Sequence, residues 1–227
     1  MISFLNNIEQ LLNLNYIIFL FVLSFLIGAI PFGLIITNIA GYGDIRNIGS
    51  GNIGATNVLR TGNKKLAFYT LILDLSKSLL LLLLIKTSLT QTLSNDLLIT
   101  VYIISALLSL LGHMYSPFLK LRGGKGIATS AGILLFISYP TAILSATIWI
   151  LIAIPTKKSS LSALISSLSS IIFLWSIKQM VNSEILSSNF LITNKEFYLF
   201  IIIIILIWIK HIPNIKRIIN KTESEIK

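Results

Sequence analysis

The chain has 227 residues, of which 55% are hydrophobic and only 11% are charged, and its formal net charge is +10. Soluble domains usually carry about a quarter of charged residues, so this composition excludes an ordinary soluble protein and indicates an integral membrane protein. The sequence contains no cysteine, which excludes disulfide bonds and thiolate metal ligands.

Long apolar runs predict an all-α, polytopic membrane bundle of seven transmembrane helices, in one domain that covers residues 1–227. The fourth helix is short. It is predicted to separate from the fifth at Tyr139-Pro140, because proline disfavours the continuation of a helix; a single long kinked helix is the alternative. In chain order the predicted helices are 14–40, 66–86, 97–119, 127–139, 140–155, 159–181 and 196–212.

The basic residues are concentrated on one side of this bundle. With seven helices, fourteen of the eighteen lysines and arginines fall in segments that share one side, namely 41–65, 120–126, 156–158 and 210–227. Merging the fourth and fifth helices would distribute them over both sides. Because cytoplasmic loops carry an excess of Lys and Arg, the pattern predicts an N-terminus outside and a C-terminus in the cytoplasm. We therefore expect a multi-pass protein of the cell membrane, inner or plasma, with a site on the cytoplasmic face.

Two charged residues are predicted to lie inside the second helix. Asp74 and Lys77 are three residues apart and can pair on one helix face. Charges within a membrane usually face the interior of a bundle. A structural ion pair is the favoured interpretation, and a direct role in the functional site is the alternative.

The first polar segment contains "GSGNIGATNVLR", residues 49–60. Its glycines let the backbone approach a ligand, so we expect amides around Gly51 to form an anion-binding nest. Arg60 can bind a phosphate with two parallel hydrogen bonds. A flexible loop against lipid headgroups is the alternative. Neutral hydrogen-bonding side chains accompany the glycines at Ser50, Asn52, Thr56 and Asn57.

The second polar segment contains "GHMYSPFLKLRGGKGIATSAG", residues 112–132. Gly123-Gly124-Lys125-Gly126 predicts a turn that leads into a helix N-terminus, where free amides and the helix dipole favour an anion. The spacing of a nucleotide-binding P-loop is absent. His113 is interpreted either as a helix cap or interfacial anchor or as a functional residue.

The third polar segment, "IKHIPNIKRIINKTESEIK", follows the last predicted span at residues 209–227. A basic tail on anionic lipid would explain its lysines. It would not explain His211 and Asn214, which are three residues apart and adjacent on a helix. Three phosphate-compatible segments on one membrane face indicate a pocket for a phosphorylated substrate that opens sideways to the hydrocarbon.

These segments together resemble the three cytoplasmic motifs of the bacterial acyl-phosphate:glycerol-3-phosphate acyltransferases, and the match extends over the whole chain. The resemblance implies an enzyme that transfers a fatty acyl group from acyl phosphate to the 1-hydroxyl of sn-glycerol 3-phosphate. The products would be lysophosphatidic acid and phosphate, in the first acylation of phospholipid biosynthesis. It implies acyl phosphate, glycerol 3-phosphate and membrane lipid as partners, a monomer, no cofactor, no metal and no nucleic acid.

The resemblance assigns roles to specific residues. Three positions depart from the family pattern, namely Lys210 in place of arginine, Pro117 one position late, and Asn220 in place of glycine. The expected catalytic residues are Ser50, Arg60, Lys125, His211 and Asn214. The expected binding residues are Gly51, Asn52, Thr56, Asn57, His113, Gly123, Gly124, Gly126 and Glu223.

An acyl phosphate is already an activated mixed anhydride, so direct attack by the hydroxyl needs no covalent intermediate. The proton acceptor is open between His211 and a phosphate oxygen of the substrate. The His-x4-Asp pair of soluble-type acyltransferases is excluded, because Phe118 and Lys216 occupy the fifth positions after the two histidines. A membrane transporter of a small organophosphate is the alternative function, although transporters usually show internal repeats and polar residues near the midplane.

Overall fold

The computed structural model describes residues 2–226, with side chains from residue 14 onward. This part of the chain contains ten α-helices and no strand. Short 3₁₀ turns lie at Ile45–Asn47, Pro117–Leu119 and Ser188–Phe190. The helices are α1 (Ile2–Ala29), α2 (Phe32–Ile39), α3 (Ala55–Leu59), α4 (Lys64–Leu89), α5 (Asn95–Met114), α6 (Ile127–Ile137), α7 (Tyr139–Thr156), α8 (Ser159–Asn182), α9 (Asn194–Lys210) and α10 (Ile212–Ile219).

Most of these helices are long and apolar enough to cross a membrane. Within residues 2–226, five segments meet that condition, namely α4, α5 with the 3₁₀ turn after it, α7, α8, and α9 with the 3₁₀ turn before it, and α1 with α2 would make a sixth span. Helix α6 has 11 residues, which gives about 16 Å at 1.5 Å per residue, against a hydrocarbon core of about 30 Å. The predicted all-α membrane protein is therefore confirmed, while the count of seven spans and the orientation stay predictions.

The first predicted helix, 14–40, is wrong in one respect, because it is broken. Helix α1 ends at Ala29 and α2 begins at Phe32, and the two are bent by 46°. Pro31 lacks an N–H group and its ring clashes with the preceding helical turn. The carbonyl of Ile30 at this break accepts a hydrogen bond from Lys77 Nζ at 3.2 Å.

The predicted separation of the fourth and fifth helices is confirmed. Helix α6 ends at Ile137 and α7 begins at Tyr139, and Ser138 between them is extended (φ −154°, ψ 91°). Helix α6 packs against α4, whereas α7 packs against α8. The single long kinked helix is excluded for this structure.

Glycines allow the closest helix contacts in the bundle. A Cβ on Gly112 would lie 2.1 Å from the carbonyl oxygen of Phe25, and one on Gly132 would lie 2.1 Å from that of Leu75. These approaches bring α1 against α5 and α4 against α6, as small residues do in membrane bundles. The apolar core between them includes Leu82, Ile85, Leu110, Ile133 and Ile203.

Candidate active site

The predicted polar segments meet at one end of the bundle, together with the start of α8. The C-terminal residues lie against α3 and the α7–α8 loop, and the end of α9 lies against the loop that follows α5. Four contacts make these connections: Arg60 Nη2 to Ser224 Oγ at 2.8 Å, Thr56 Oγ1 to Ser159 Oγ at 2.9 Å, the Ile226 amide to the Lys157 carbonyl at 2.7 Å, and Lys210 Nζ to the Met114 carbonyl at 2.7 Å.

Asn57 organises the first polar loop from within. Its side chain is buried, with 1% of the residue exposed. Its Oδ1 accepts hydrogen bonds from the Ser50 amide at 3.0 Å and from Arg60 Nη1 at 3.1 Å. Its Nδ2 donates to the carbonyls of Ile45, Ile48 and Asn52 at 2.8–2.9 Å. The polar side-chain atoms of Asn57 are thus all used for hydrogen bonds within the loop.

The backbone amides around Gly51 do not form the anion-binding nest that the sequence predicted. The Gly51 amide donates to the Ile48 carbonyl at 3.1 Å, and the Ser50 amide donates to Asn57. Both donors are used internally because the loop turns back on itself over seven residues. The side chain of Arg60, rather than these two amides, is what the loop offers to an anion.

Arg60 is half-buried beside the C-terminal segment. Besides Asn57, its guanidinium donates to Ser224 Oγ at 2.8 Å and to the Ser224 carbonyl at 3.3 Å. Gly49 makes room for it, since a Cβ there would lie 2.6 Å from Arg60 Cδ, and φ at Gly49 is +56°. The loop and the C-terminal segment therefore fix the position of this guanidinium.

A groove of about 950 Å³ lies between Arg60 and the last two turns of α7. Its wall is mainly apolar, and Ile154 on the lateral face of α7 is 71% exposed. The groove thus joins a charged end, formed by Arg60, Lys157 and Glu225 with one net positive charge, to an apolar side that faces outward. The apolar wall includes Ile48, Leu59, Trp149, Ile154 and Ile226.

The glycine-rich loop folds back on the end of α5. The amides of Gly123 and Gly124 donate to the carbonyls of Met114 and His113 at 3.2 and 3.0 Å. The amides of the next two residues, Lys125 and Gly126, have no acceptor among the described residues. They precede the first turn of α6, whose amides have no intrahelical partners. Free donors therefore collect at Lys125, Gly126 and the first turn of α6, whereas the amides of Gly123 and Gly124, which were expected to bind a ligand, are used within the protein.

Lys125 belongs to the same electrostatic cluster as the other polar segments. Burial lowers the pKa of Lys125 from its ordinary value to about 8, Glu223 raises it, and Arg217 and Arg60 lower it further. No described group accepts a hydrogen bond from its Nζ. A half-buried ammonium without a hydrogen-bond acceptor, near Glu223 and two arginines, is suited to bind an anion.

Glu223 holds the C-terminal segment together. Its carboxylate accepts hydrogen bonds from Asn214 Nδ2 at 2.7 Å, Ser160 Oγ at 2.8 Å and Arg217 Nε at 2.8 Å. Burial alone would raise the pKa of Glu223, but these hydrogen bonds outweigh it and hold the pKa below its ordinary value. Glu223 is thus a charged hub, and Asn214 Oδ1 is buried without a partner among the described residues.

His211 ends α9 within the same cluster and is 2% exposed. Its Nδ1 lies 2.8 Å from the carbonyl oxygen of Ile207, and because a carbonyl only accepts, Nδ1 carries the proton. Burial, with a further contribution from Lys125, lowers the pKa of His211 to about 4. The ring is therefore neutral near pH 7, with a free lone pair on Nε2.

His113 lies apart from this cluster, behind the glycine-rich loop. The predicted ion pair of Asp74 and Lys77 is confirmed at 2.8 Å, and Lys77 Nζ is also 2.9 Å from His113 Nδ1. A Cβ on Gly124 would lie 2.2 Å from His113 Nε2. His113 thus supports the loop from within the bundle.

The sequence did not predict three serines of the site. Ser159 bonds to Thr56, Ser160 to Glu223, and Ser224 to Arg60. The available signal for Ser159 and Ser160 was their position beside the basic pair at 157–158, on the predicted cytoplasmic side.

Of the remaining predicted residues, Asn52 Oδ1 accepts a hydrogen bond from the neighbouring Ile53 amide. The roles assigned to individual residues stay predictions.

We expect the substitution Gly124→Ala to lower kcat/KM by roughly 100-fold, because a displacement of about 1 Å in a positioned site can cost that much. The added methyl would overlap His113 Nε2 and push the loop away from it. Gly54→Ala is the matched control, since its Cβ would meet only Asn52 Nδ2 at 3.5 Å. Steady-state kinetics of both variants check the prediction, and equal losses would contradict it.

The fold and the site define an α-helical, multi-pass membrane protein with a cluster of charged and polar side chains at one end of its bundle. The family model for glycerol-3-phosphate acyltransferase matches residues 18–221. A "Glycerol-3-phosphate acyltransferase" of Bartonella henselae is 43% identical over 208 residues, which are 91% of this chain and 90% of that protein. One of Ehrlichia canis is 42% identical over 205 residues, or 90% and 96% of the two chains. The chain belongs to the glycerol-3-phosphate acyltransferase family.

Solved structures agree with this assignment. The crystal structure of PlsY (YgiH), an integral membrane glycerol 3-phosphate acyltransferase, in its glycerol 3-phosphate form has a TM-score of 0.78 and 30% identity. The match covers 93% of this chain and 96% of that one. The lysophosphatidic acid form of the same enzyme has a TM-score of 0.76 and 29% identity.

Proposed function

We propose that this protein transfers a fatty acyl group from acyl phosphate to the 1-hydroxyl of sn-glycerol 3-phosphate, and releases lysophosphatidic acid and phosphate. The observation that carries the proposal is the pairing of two anion-binding elements with one apolar groove. Arg60 with the C-terminal segment is one element, and Lys125 with the free amides before α6 is the other. Two phosphorylated substrates, one with a long apolar chain, fit this arrangement.

The acyl chain is assigned to the groove along α7. Its cationic end at Arg60 suits a phosphate, and its apolar wall suits a hydrocarbon chain that enters from the membrane. Glycerol 3-phosphate is small and polar, so it enters from the aqueous side and binds between the two cationic elements. PlsY has been solved in a glycerol 3-phosphate form and in a lysophosphatidic acid form, which supports a soluble acceptor and a lipid product.

The reaction proceeds by direct attack in this proposal. The hydroxyl oxygen bonds to the acyl carbonyl carbon, the bond from that carbon to the phosphate oxygen breaks, and its electron pair leaves with phosphate. Arg60 and Lys125 stabilise the charge that develops on the leaving group. The hydroxyl proton passes to a phosphate oxygen, because the pKa of His211 is about 4 and the second pKa of a phosphate group is about 6.

The proposed site faces the cytoplasm, in a seven-span monomer. The excess of Lys and Arg at this end of the bundle supports that orientation. Helix α6 would be the short seventh span, packed against α4 rather than exposed to lipid along its whole length.

The test is a product assay on the purified protein in lipid nanodiscs. Glycerol 3-phosphate is supplied with palmitoyl phosphate, palmitoyl-CoA or palmitoyl-acyl carrier protein, and lysophosphatidic acid and free phosphate are both quantified. We expect product from palmitoyl phosphate, with one phosphate released per lysophosphatidic acid. Product from a thioester alone would contradict acyl phosphate as the acyl donor. No product from any donor would contradict the proposed acyltransferase activity.

The substitution His211→Gln is expected to leave most of kcat, because it only replaces the weakly basic Nε2 with a neutral amide at the same place. Loss of a general base would instead cost roughly 10²–10⁴-fold. The values of kcat for the wild-type protein and for His211→Gln, at saturating concentrations of both substrates, decide between the two. A loss within that range for His211→Gln would identify His211 as the base.

A further inference from the structure

Behind the glycine-rich loop, two helices place a carboxylate, an ammonium and an imidazole in contact. The side chains of Asp74 and Lys77 on α4 are 3% and 2% exposed, and that of His113 on α5 is 4% exposed. Lys77 Nζ lies 2.8 Å from Asp74 Oδ1, 3.2 Å from the Ile30 carbonyl and 2.9 Å from His113 Nδ1. The ammonium therefore meets three possible acceptors.

The protons on Lys77 Nζ determine which tautomer the His113 ring adopts. An ammonium has three N–H donors and no lone pair, so His113 Nδ1 can only accept from it. A neutral Lys77 would leave the buried Asp74 carboxylate without its counter-ion, which is strongly unfavourable. His113 Nδ1 is therefore unprotonated, and the proton of the neutral ring lies on Nε2.

The Nε2–H group lies against the loop that precedes α6. A Cβ on Gly124 would lie 2.2 Å from His113 Nε2, and the Gly124 amide donates to the His113 carbonyl at 3.0 Å. No described residue accepts a hydrogen bond from Nε2. The next two amides along the loop, those of Lys125 and Gly126, also have no acceptor. Three N–H groups thus lie at one loop without protein partners.

We propose that Lys77, held by Asp74, is a positioning residue that keeps His113 in the Nε2–H tautomer, so that the ring presents a neutral donor to the phosphate bound at the glycine-rich loop. The inference rests on the proposed function in placing phosphate at this loop. Because Lys77 also bonds to Ile30, the break between α1 and α2 is tied to the same network. Lys77 acts through His113 and does not contact the substrate.

The direct test is the ¹⁵N NMR spectrum of the protein labelled at histidine. The chain has two histidines, so the His211→Gln variant identifies the signals of His113. We expect a protonated Nε2 and an unprotonated Nδ1, and a shift of the Nε2 signal when inorganic phosphate is added. The Asp74→Asn, Lys77→Met double variant removes both charges of the ion pair, so neither charge is left buried alone. We expect a mixture of the two neutral tautomers of His113 in this variant. Lys86→Met, on the same helix, is the control and should keep the wild-type spectrum.

Kinetics separate a positioning role from a structural one. Glutamine at position 113 can place an amide N–H where Nε2 lies, whereas asparagine reaches only the Nδ1 position and keeps the contact with Lys77. We expect His113→Asn to raise the KM for phosphate substrates roughly 10- to 100-fold, as for a lost hydrogen bond to a charged group, and His113→Gln to raise it far less. A structural role predicts the reverse order.

Either of two results would overturn the inference. One is an Nδ1–H tautomer or an imidazolium at His113 in the wild-type protein. The other is a wild-type tautomer and KM in the double variant. The tautomer is read without any substrate, so its outcome is independent of whether the product assay finds the proposed reaction.

Discussion

Replacing Arg60 with alanine is expected to lower kcat/KM for acyl transfer by roughly 10²–10³-fold, the cost of removing one donor that stabilises developing charge. The guanidinium is held by Asn57 on one side and by Ser224 on the other, at the cationic end of the groove. Arg60→Lys keeps the charge and loses the planar pair of donors, so it should recover only part of the activity. Initial rates with both substrates varied provide the measurement.

Arg46→Ala is the matched control for this prediction. Arg46 lies in the same loop, but it is exposed and pairs with Asp44 at 2.5 Å. Its removal should leave the rate at the wild-type level. Ser224→Ala removes one partner of Arg60 without removing its charge, and should have an intermediate effect. Equal losses in Arg60→Ala and Arg46→Ala would show that the loop contributes only general positive charge.

The kcat/KM of the wild-type protein is expected to fall as pH rises through about 8, because the proposed binding of phosphate by Lys125 requires the ammonium form. Its pKa is lowered by burial to about 8, so the cation predominates below that pH and the neutral amine above it. The phosphate groups have lost their second proton already near pH 6. The alkaline limb of kcat/KM reports the free enzyme and therefore Lys125.

Two variants assign this limb. The Glu223 carboxylate raises the pKa of Lys125, so Glu223→Gln should move the limb to lower pH. Lys125→Arg should move it beyond the measurable range, since arginine stays charged. A limb near pH 8 that neither variant moves would assign it to another group, and a flat profile to pH 10 would contradict the low pKa.

The fold could be predicted from sequence where a single residue type or the local composition determines a helix boundary or the side of the membrane. Pro140 marks the boundary between α6 and α7, and it is the one helix-breaking residue in an otherwise apolar stretch. The distribution of Lys and Arg predicts that the polar segments share one side of the bundle. The break at Pro31 was missed because the run from 14 to 40 is almost uniformly apolar and membrane helices often tolerate proline. The Ile30 carbonyl at this break accepts hydrogen bonds from the Phe32 amide and from Lys77 Nζ, 47 residues away, and a contact of that range has no local signal in the sequence.

The site could be predicted as a set of segments, but not as a set of contacts. Glycine, arginine and lysine carry local signals, so Arg60 and the loop before α6 were found from sequence. The use of Asn57 as the centre of its loop depends on how that loop closes, and Ser160 meets Glu223 across 63 residues. The link from Lys77 to His113 spans 36 residues and two helices. Such pairings depend on packing, which a motif does not encode.

In the proposed mechanism one pocket holds both anions at once, and acyl transfer between them is direct. Initial rates over a grid of palmitoyl phosphate and glycerol 3-phosphate concentrations test it most directly, together with intact-protein mass spectrometry. Direct transfer predicts intersecting double-reciprocal lines, no phosphate release without glycerol 3-phosphate, and no acylated protein. Parallel lines with a burst of phosphate and an acyl adduct on the chain would contradict it.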